Sequence, residues 1–336
     1  MRLGAIGRAD RSCWSIILCS MSIHLLSTID AGYEVPFRVT LQSMLDHLDA
    51  PVSVQWHVIG CGLTALVRDA IEVQASGKPL TFHWYETPAS LIADLPVRGR
   101  FVSHVYARII APQLLPAHVN RFLYLDGDLL LMDSISALWE TDLEGAVIGA
   151  VQDMAVPRVS SPMGIHTYRE LGFNSRDPYF NAGVYLVDLA AWRKRDAGQR
   201  AIDYIKHHGD SINLLDQEAL NVALHGCWKQ LDLRWNLIAS LAGRRHYKPE
   251  GINLDLYHQA VEHPGIVHFA GLLKPWVQAN IGSQWVQQYL RTLQQACPGH
   301  QLSDSIRDRG FSFYDRKLRW LFYAAEKYVW SKRKGF

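Results

Sequence analysis

Apolar and polar positions alternate between two periods along the first third of the chain. Residues 24–30 form a compact apolar run that ends at a carboxylate, as a strand buried in a sheet would. Residues 39–48 then place Val39, Leu41, Met44, Leu45 and Leu48 on one helical face. Residues 52–60 return to strand, 63–75 to helix and 80–85 to strand. This alternation predicts βαβ units and a doubly wound, mostly parallel α/β sheet covered by helices. Further along, 122–125, 146–151 and 179–188 read as buried strands, and 189–207 and 211–224 as helices. Shorter pieces at 231–236 and 251–257 predict a small second layer. Between them, 153–178 is polar and broken by Pro157, Pro162 and Pro178, which predicts a long ordered loop serving as a lid or acceptor wall.

The polar residues that interrupt these runs carry the chemistry. In Arg121-Phe-Leu-Tyr-Leu-Asp126-Gly-Asp128-Leu-Leu-Leu-Met132, two carboxylates fall where a buried strand should run out, with Gly127 permitting a turn. In a parallel sheet that edge is where ligands bind. Asp126 and Asp128 repel each other unless a hard divalent cation joins them, or they simply cap the following turn. His268 ends another short apolar run. It reads as a satisfied core histidine or, with the two aspartates as partners, as a third metal ligand. Lys274 follows a glycine turn and can reach phosphate, while Arg108 lies just before the aspartate pair and faces either solvent or an anion. Asn181 opens a strand followed by two small residues, which suits close approach by a polar ligand or a bulge. Asp216 suits a helix cap, whereas Gln217 beside it has no structural reason apparent in the sequence.

Composition narrows the classes. The 336 residues are 49% hydrophobic and 20% charged, an ordinary globular balance. A net charge of +2 makes no electrostatic case for nucleic acid. Five scattered cysteines match neither a zinc knuckle nor a CxxC pair and fit a reducing, cytoplasmic compartment. Asp30-Ala-Gly32-Tyr33, after the first strand, lacks the dinucleotide fingerprint, which disfavours a nicotinamide or flavin enzyme. Residues 1–21 form a poorly defined extension. Their apolar part is interrupted by serines and is too short to span a bilayer, so Met21 is read as the true start. Residues 304–336 carry nine Lys and Arg against four acids, interleaved with aromatics, over an apolar stripe of Leu318, Leu321, Phe322, Ala325 and Val329. That exceeds what docking on the domain needs, so the tail is read as a helix lying on an anionic membrane, peripheral to the cytoplasmic face of the inner membrane.

Taken together, Tyr106-Ala-Arg108, Leu125-Asp-Gly-Asp128, Phe180-Asn-Ala-Gly183 with Trp192-Arg193, Asp216-Gln217 and His268-Phe-Ala-Gly271-Leu-Leu-Lys274-Pro-Trp276 resemble the retaining glycosyltransferases of family 8. These include bacterial lipopolysaccharide galactosyl- and glucosyltransferases and glycogenin. The likeness covers residues 22–295, in the family's order. It implies a GT-A fold, a Rossmann-like sheet with a smaller acceptor-side layer, and a UDP-galactose or UDP-glucose donor held by Mn²⁺, with Mg²⁺ the alternative. Asp126, Asp128 and His268 would be the metal ligands, and Gly271 and Lys274 would hold the diphosphate. Asp30 and Tyr33 would meet the nucleotide, Arg108 and Asn181 would border the sugar, and Asp216 would bond its hydroxyls. Gln217 matches the residue on the reacting face. Gly32 stands where the family often has Asn, so one nucleotide contact is missing or made by backbone. A glycan such as lipopolysaccharide would be the acceptor. A nucleotide-sugar hydrolase or pyrophosphorylase, and an inactive binding protein on the same fold, are the competing classes.

Overall fold

The computed structural model describes residues 21–88, 95, 106–209, 211–242, 247, 251–271, 274–277 and 284–302. The extension at 1–20 and the basic tail at 304–336 lie outside these residues, and with them the expectations of a start at Met21 and of membrane contact.

The strands are β1 (Ser22–Asp30), β2 (Ser53–Cys61), β3 (Leu80–Glu86), β4 (Arg121–Leu125), β5 (Leu129–Leu131), β6 (Ile148–Gln152), β7 (Phe180–Asp188), β8 (Trp228–Gln230), β9 (Leu237–Ile238) and β10 (Ile266–His268). The helices are α1 (Glu34–Asp46), α2 (Ala65–Gln74), α3 (Ala107–Leu114), α4 (Ser136–Trp139), α5 (Leu189–Lys194), α6 (Ala197–His208), α7 (Leu215–Ala223), α8 (Leu254–Glu262) and α9 (Val286–Ala296). Seven strands form one sheet in the order β3-β2-β1-β4-β7-β6-β8. Only β7 runs against its neighbours, so the mostly parallel sheet expected from the alternation is present.

Both faces of this sheet are covered, which is why its strands read as continuous apolar runs. In β4, Leu123 and Leu125 enter a cluster with Phe37, Val39 and Leu41 of α1. Phe122 and Tyr124 point the other way, to Ile109 and Ile110 of α3 and Ala201 and Ile205 of α6. Each such buried large side chain contributes about 1.5–3 kcal/mol relative to leaving it in water.

A small second layer is present as a three-stranded sheet, β5-β10-β9, but other residues build it than those expected: 231–236 holds a 3-10 turn (Leu233–Asn236) and 251–257 runs into α8. Strand β10 pairs antiparallel with β5 through Ile266↔Leu131, Val267↔Leu130 and His268↔Leu129. That register sets His268 against the residue that follows Asp128.

Two local differences from the sequence reading have physical causes, and one agreement has a cause of its own. Helix α1 begins at Glu34 rather than 39, because the Asp30 carboxylate accepts from Gly32 N at 2.8 Å and caps a 3-10 turn that runs into it. Pro36 sits in the first turn of α1, where its missing N–H is not needed. The single helix expected over 189–207 is two helices, broken at Asp196 in the left-handed region (φ 52°). Residues 153–178 hold no helix or strand, yet they close over a cluster of their own, Val156, Val159, Met163 and Ile165 with Tyr179. The loop is ordered by burial, as its length suggested.

Candidate active site

Strand β4 ends at Leu125, and Asp126 N–H still donates to Gly183 O on β7 at 2.8 Å. The chain then turns through Gly127 into Asp128 and β5. Gly127 does not adopt a positive φ, so the turn itself does not demand glycine. A Cβ there would lie 3.2 Å from the Tyr33 ring and 3.4 Å from Ile29, so a side chain would require Tyr33 to give by a few tenths of an ångström.

The turn brings both carboxylates to one point with His268. His268 Nε2 lies 3.2 Å from Asp128 Oδ1 and 3.8 Å from Asp126 Oδ2. One donor atom from each of the three residues falls within 4.8 Å of the others. Octahedral coordination at about 2.1 Å places neighbouring ligand atoms about 3 Å apart, so small closing movements fit one divalent ion here. Carboxylates suit Mg²⁺ and Mn²⁺, and an imidazole in the set favours the transition metal. Among the described residues this is the only Asp, Glu, His or Cys group so arranged.

Cations surround the cluster. Arg108, fixed on α3, bridges Asp126 Oδ1 at 2.9 Å and Asp216 Oδ2 at 2.8 Å, and donates to Ala182 O at 2.8 Å. The sequence left Arg108 facing solvent or an anion; it faces inward, onto two carboxylates. Lys274 Nζ donates to Asp128 Oδ2 at 2.5 Å and to Phe269 O at 2.8 Å. The two aspartates respond differently. Burial raises Asp126, and repulsion from Asp128 adds to it against the pull of Arg108. Burial also works against Asp128, but Lys274 and His268 outweigh it and hold that carboxyl below the usual range. Arg108 stays charged despite burial, because Asp126 and Asp216 raise it.

The remaining predicted residues fall around this centre. Tyr33 packs edge-on against Trp276 at 5.9 Å between ring centres, with Lys274 Nζ 5.9 Å from the Tyr33 ring. Asp30 lies at the end of β1 and caps the turn that leads to Tyr33. Gly271 has φ 94°, a conformation that favours glycine. Asp216 stands in the first turn of α7 and serves Arg108; the cap position is Leu214. Gln217, for which the sequence offered no structural reason, has two partners: its Oε1 accepts from Ala182 N at 3.0 Å and its Nε2 donates to Asp153 Oδ2 at 3.1 Å. Asn181 is 7% exposed; its Oδ1 accepts from Gly183 N at 2.9 Å and its Nδ2 donates to Asp153 Oδ2 at 2.8 Å.

Two residues of this network were missed in the sequence. Asp153 receives Asn181, Gln217 and the backbone N–H groups of Ala155 and Val156. It directly follows β6, so the signal that exposed Asp126, a carboxylate at the end of an apolar strand, was present there too. Asn236, 1% exposed, bonds both Asn181 and His268. It closes a short irregular piece and gave no signal.

The chain as a whole has known relatives. Residues 24–280 match the family model "Glycosyl transferase family 8". General stress protein A of Bacillus subtilis is 27% identical over 258 residues, 76% of this chain and 87% of that protein. The lipopolysaccharide 1,2-glucosyltransferase of Escherichia coli K12 is 30% identical over 263 residues, covering 76% and 73%. Among solved structures, the galactosyltransferase LgtC in complex with donor and acceptor sugar analogs superposes with a TM-score of 0.67 at 23% identity, over 81% of this chain and 96% of that one. The fold is therefore GT-A, as the resemblance implied. With the family model spanning most of its length, this chain belongs to glycosyl transferase family 8.

Proposed function

We propose that residues 22–295 transfer galactose or glucose from a UDP-sugar to a hydroxyl of a glycan acceptor, using a divalent ion, Mn²⁺ in preference to Mg²⁺, and retaining the anomeric configuration. The observation that carries this reading is the convergence of Asp126, Asp128 and His268, with Lys274 beside them, where β4 runs out. Membership of family 8 supports a glycosyl transfer, and the E. coli relative named as a lipopolysaccharide glucosyltransferase supports a hexose donor and a surface glycan.

When bound at Asp126, Asp128 and His268, a divalent ion supplies positive charge to the diphosphate leaving group. Lys274 donates to the same phosphates, which gain negative charge as the sugar–phosphate bond breaks. Gly271 lets backbone approach them, and Asp30 and Tyr33 hold the nucleotide. Arg108 and Asn181 border the sugar, Asp216 bonds its hydroxyls, and Gln217 faces the reacting carbon. Asp153, the carboxylate joined to Gln217, is a poor nucleophile because four N–H donors already occupy its oxygens. That supports same-face transfer, in which the leaving phosphate helps to deprotonate the acceptor hydroxyl. The tail at 304–336 attaches the enzyme to the anionic cytoplasmic face of the inner membrane, where lipid-linked acceptors lie.

The test is the stereochemistry of the product from a UDP-sugar and a free glycan acceptor, read by NMR. The donor's anomeric configuration is expected in the product. An inverted product overturns the same-face mechanism, and release of free sugar regardless of acceptor overturns transfer in favour of hydrolysis.

A further inference from the structure

A chain of buried amides joins Asp153 to His268, and its hydrogen atoms can be placed one by one. The backbone N–H of Gly183 can only donate, so the Asn181 atom it meets at 2.9 Å is the oxygen. The Asn181 nitrogen then faces Asp153 Oδ2 at 2.8 Å, an acceptor that also receives Gln217. Both ends of Asn181 thus agree on one orientation. Its oxygen also lies 2.9 Å from Asn236, and two oxygens at that distance would repel, so Asn236 presents its nitrogen there. The Asn236 oxygen is left facing His268 Nδ1 at 2.9 Å. An amide oxygen needs a donor, so Nδ1 carries a proton. All four side chains are buried, Asp153 at 3% exposure, Asn181 at 7%, Asn236 at 1% and His268 at 4%, so no bulk water competes for these bonds.

We propose that Asn236 is a positioning residue: anchored through Asn181 to Asp153, it fixes the proton of His268 on Nδ1 and leaves Nε2 as the nitrogen that faces Asp126 and Asp128. The consequence for a metal rests on the function proposed above. With Nε2 bare, three electron-pair donors meet at one point, and a cation satisfies all three. With the proton on Nε2 instead, the ring donates to Asp128 and cannot ligate. Ligand histidines commonly have their second nitrogen bonded in this way, by a carboxylate, carbonyl or water. Here the partner is a side-chain amide, Asn236, whose own orientation is set by Asn181 and, one link further, by Asp153. The same Asp153 oxygen orients Gln217, so one carboxylate sets both the metal-facing histidine and the residue assigned to the reacting face.

The test uses the full chain with histidine nitrogens labelled, chelator present and alkaline pH, where imidazoles are neutral. The His268 signal is assigned by its loss in His268→Gln. Protonated Nδ1 is expected, with Nε2 bare or sharing a proton with Asp128 while no cation is present; bare Nδ1 with protonated Nε2 overturns the proposal. In parallel, Mn²⁺ affinity is measured by calorimetry. Asn236→Leu is expected to weaken it by about 10–100-fold. Equal Mn²⁺ affinity in wild type and a folded Asn236→Leu variant also overturns the proposal. If Asn236→Leu does not fold, the wild-type spectrum decides alone. If the wild type binds no Mn²⁺, the proposed function falls, and the spectrum still decides what Asn236 does.

Discussion

Lys274 Nζ lies 2.5 Å from Asp128 Oδ2, so an ammonium group and an incoming divalent ion draw on the same carboxylate. Replacing Lys274 with methionine removes that competitor. Without nucleotide, Mn²⁺ should bind Lys274→Met about tenfold or more tightly than wild type, from the Coulomb term alone. UDP should bind it more weakly, by about 1.5–3 kcal/mol for a lost charged hydrogen bond. Calorimetric titration of each ligand alone and in the presence of the other checks both signs. Unchanged Mn²⁺ affinity would show that the lysine does not compete for the site.

Gly183 is needed for a reason of space. A Cβ there would fall 2.3 Å from His268 Cε1 and 2.7 Å from its Nδ1. The backbone of His268 is held by the β10 pairing and its Nδ1 by Asn236, so the ring cannot withdraw without giving up that bond. Gly183→Ala should cost about 1–3 kcal/mol from overpacking. It should also lower metal affinity by about tenfold or more, as seen when the partners that orient a ligand are disturbed. Denaturant unfolding and metal titration measure the two effects separately.

Arg108 compensates two largely buried carboxylates at once. Arg108→Met leaves Asp126 and Asp216 without that counter-charge, a loss somewhat below the about 3–5 kcal/mol typical of breaking a fully buried pair. The expected variant is markedly less stable in chelator, with part of the loss restored by Mn²⁺ binding beside Asp126. Chemical denaturation with and without Mn²⁺ reads both quantities.

Glu218, one residue beyond Gln217, supplies a pH dependence. Burial raises its carboxyl to about 7 from 4.5, against hydrogen bonds from Asn213 N, Tyr204 and Leu214 N. The folded state therefore holds this proton more tightly than the unfolded state. Its contribution is complete below about pH 4.5 and is lost as pH rises through 7, about 3 kcal/mol in all. Across that window the wild type should lose stability with rising pH more steeply than Glu218→Gln. The difference between the two unfolding curves isolates this group from other titrations.

The cluster was legible in the sequence where a polar residue interrupted or ended an apolar run. Asp126, Asp128 and His268 all carry that mark, and the β10–β5 register completes what the runs announced. Asp153 carried the same mark and was passed over because it opens a loop broken by prolines. Gln217 looked purposeless because its partners, Ala182 and Asp153, lie 35 and 64 residues away in the chain. Asn236 is invisible for a stronger reason. Its role depends on how two other amides are turned, and no periodicity or spacing encodes that. The helix break at Asp196 was hidden because 189–207 keeps helical composition on both sides of one left-handed residue.

The most direct test of the central claim is nucleotide release by the purified chain from UDP-galactose, UDP-glucose and their GDP counterparts, with an acceptor glycan, in Mn²⁺ and in chelator. The account predicts turnover of one UDP-hexose that stops in chelator and in Asp128→Asn. Turnover that survives chelation, or no turnover and no binding of any UDP-sugar, would contradict it.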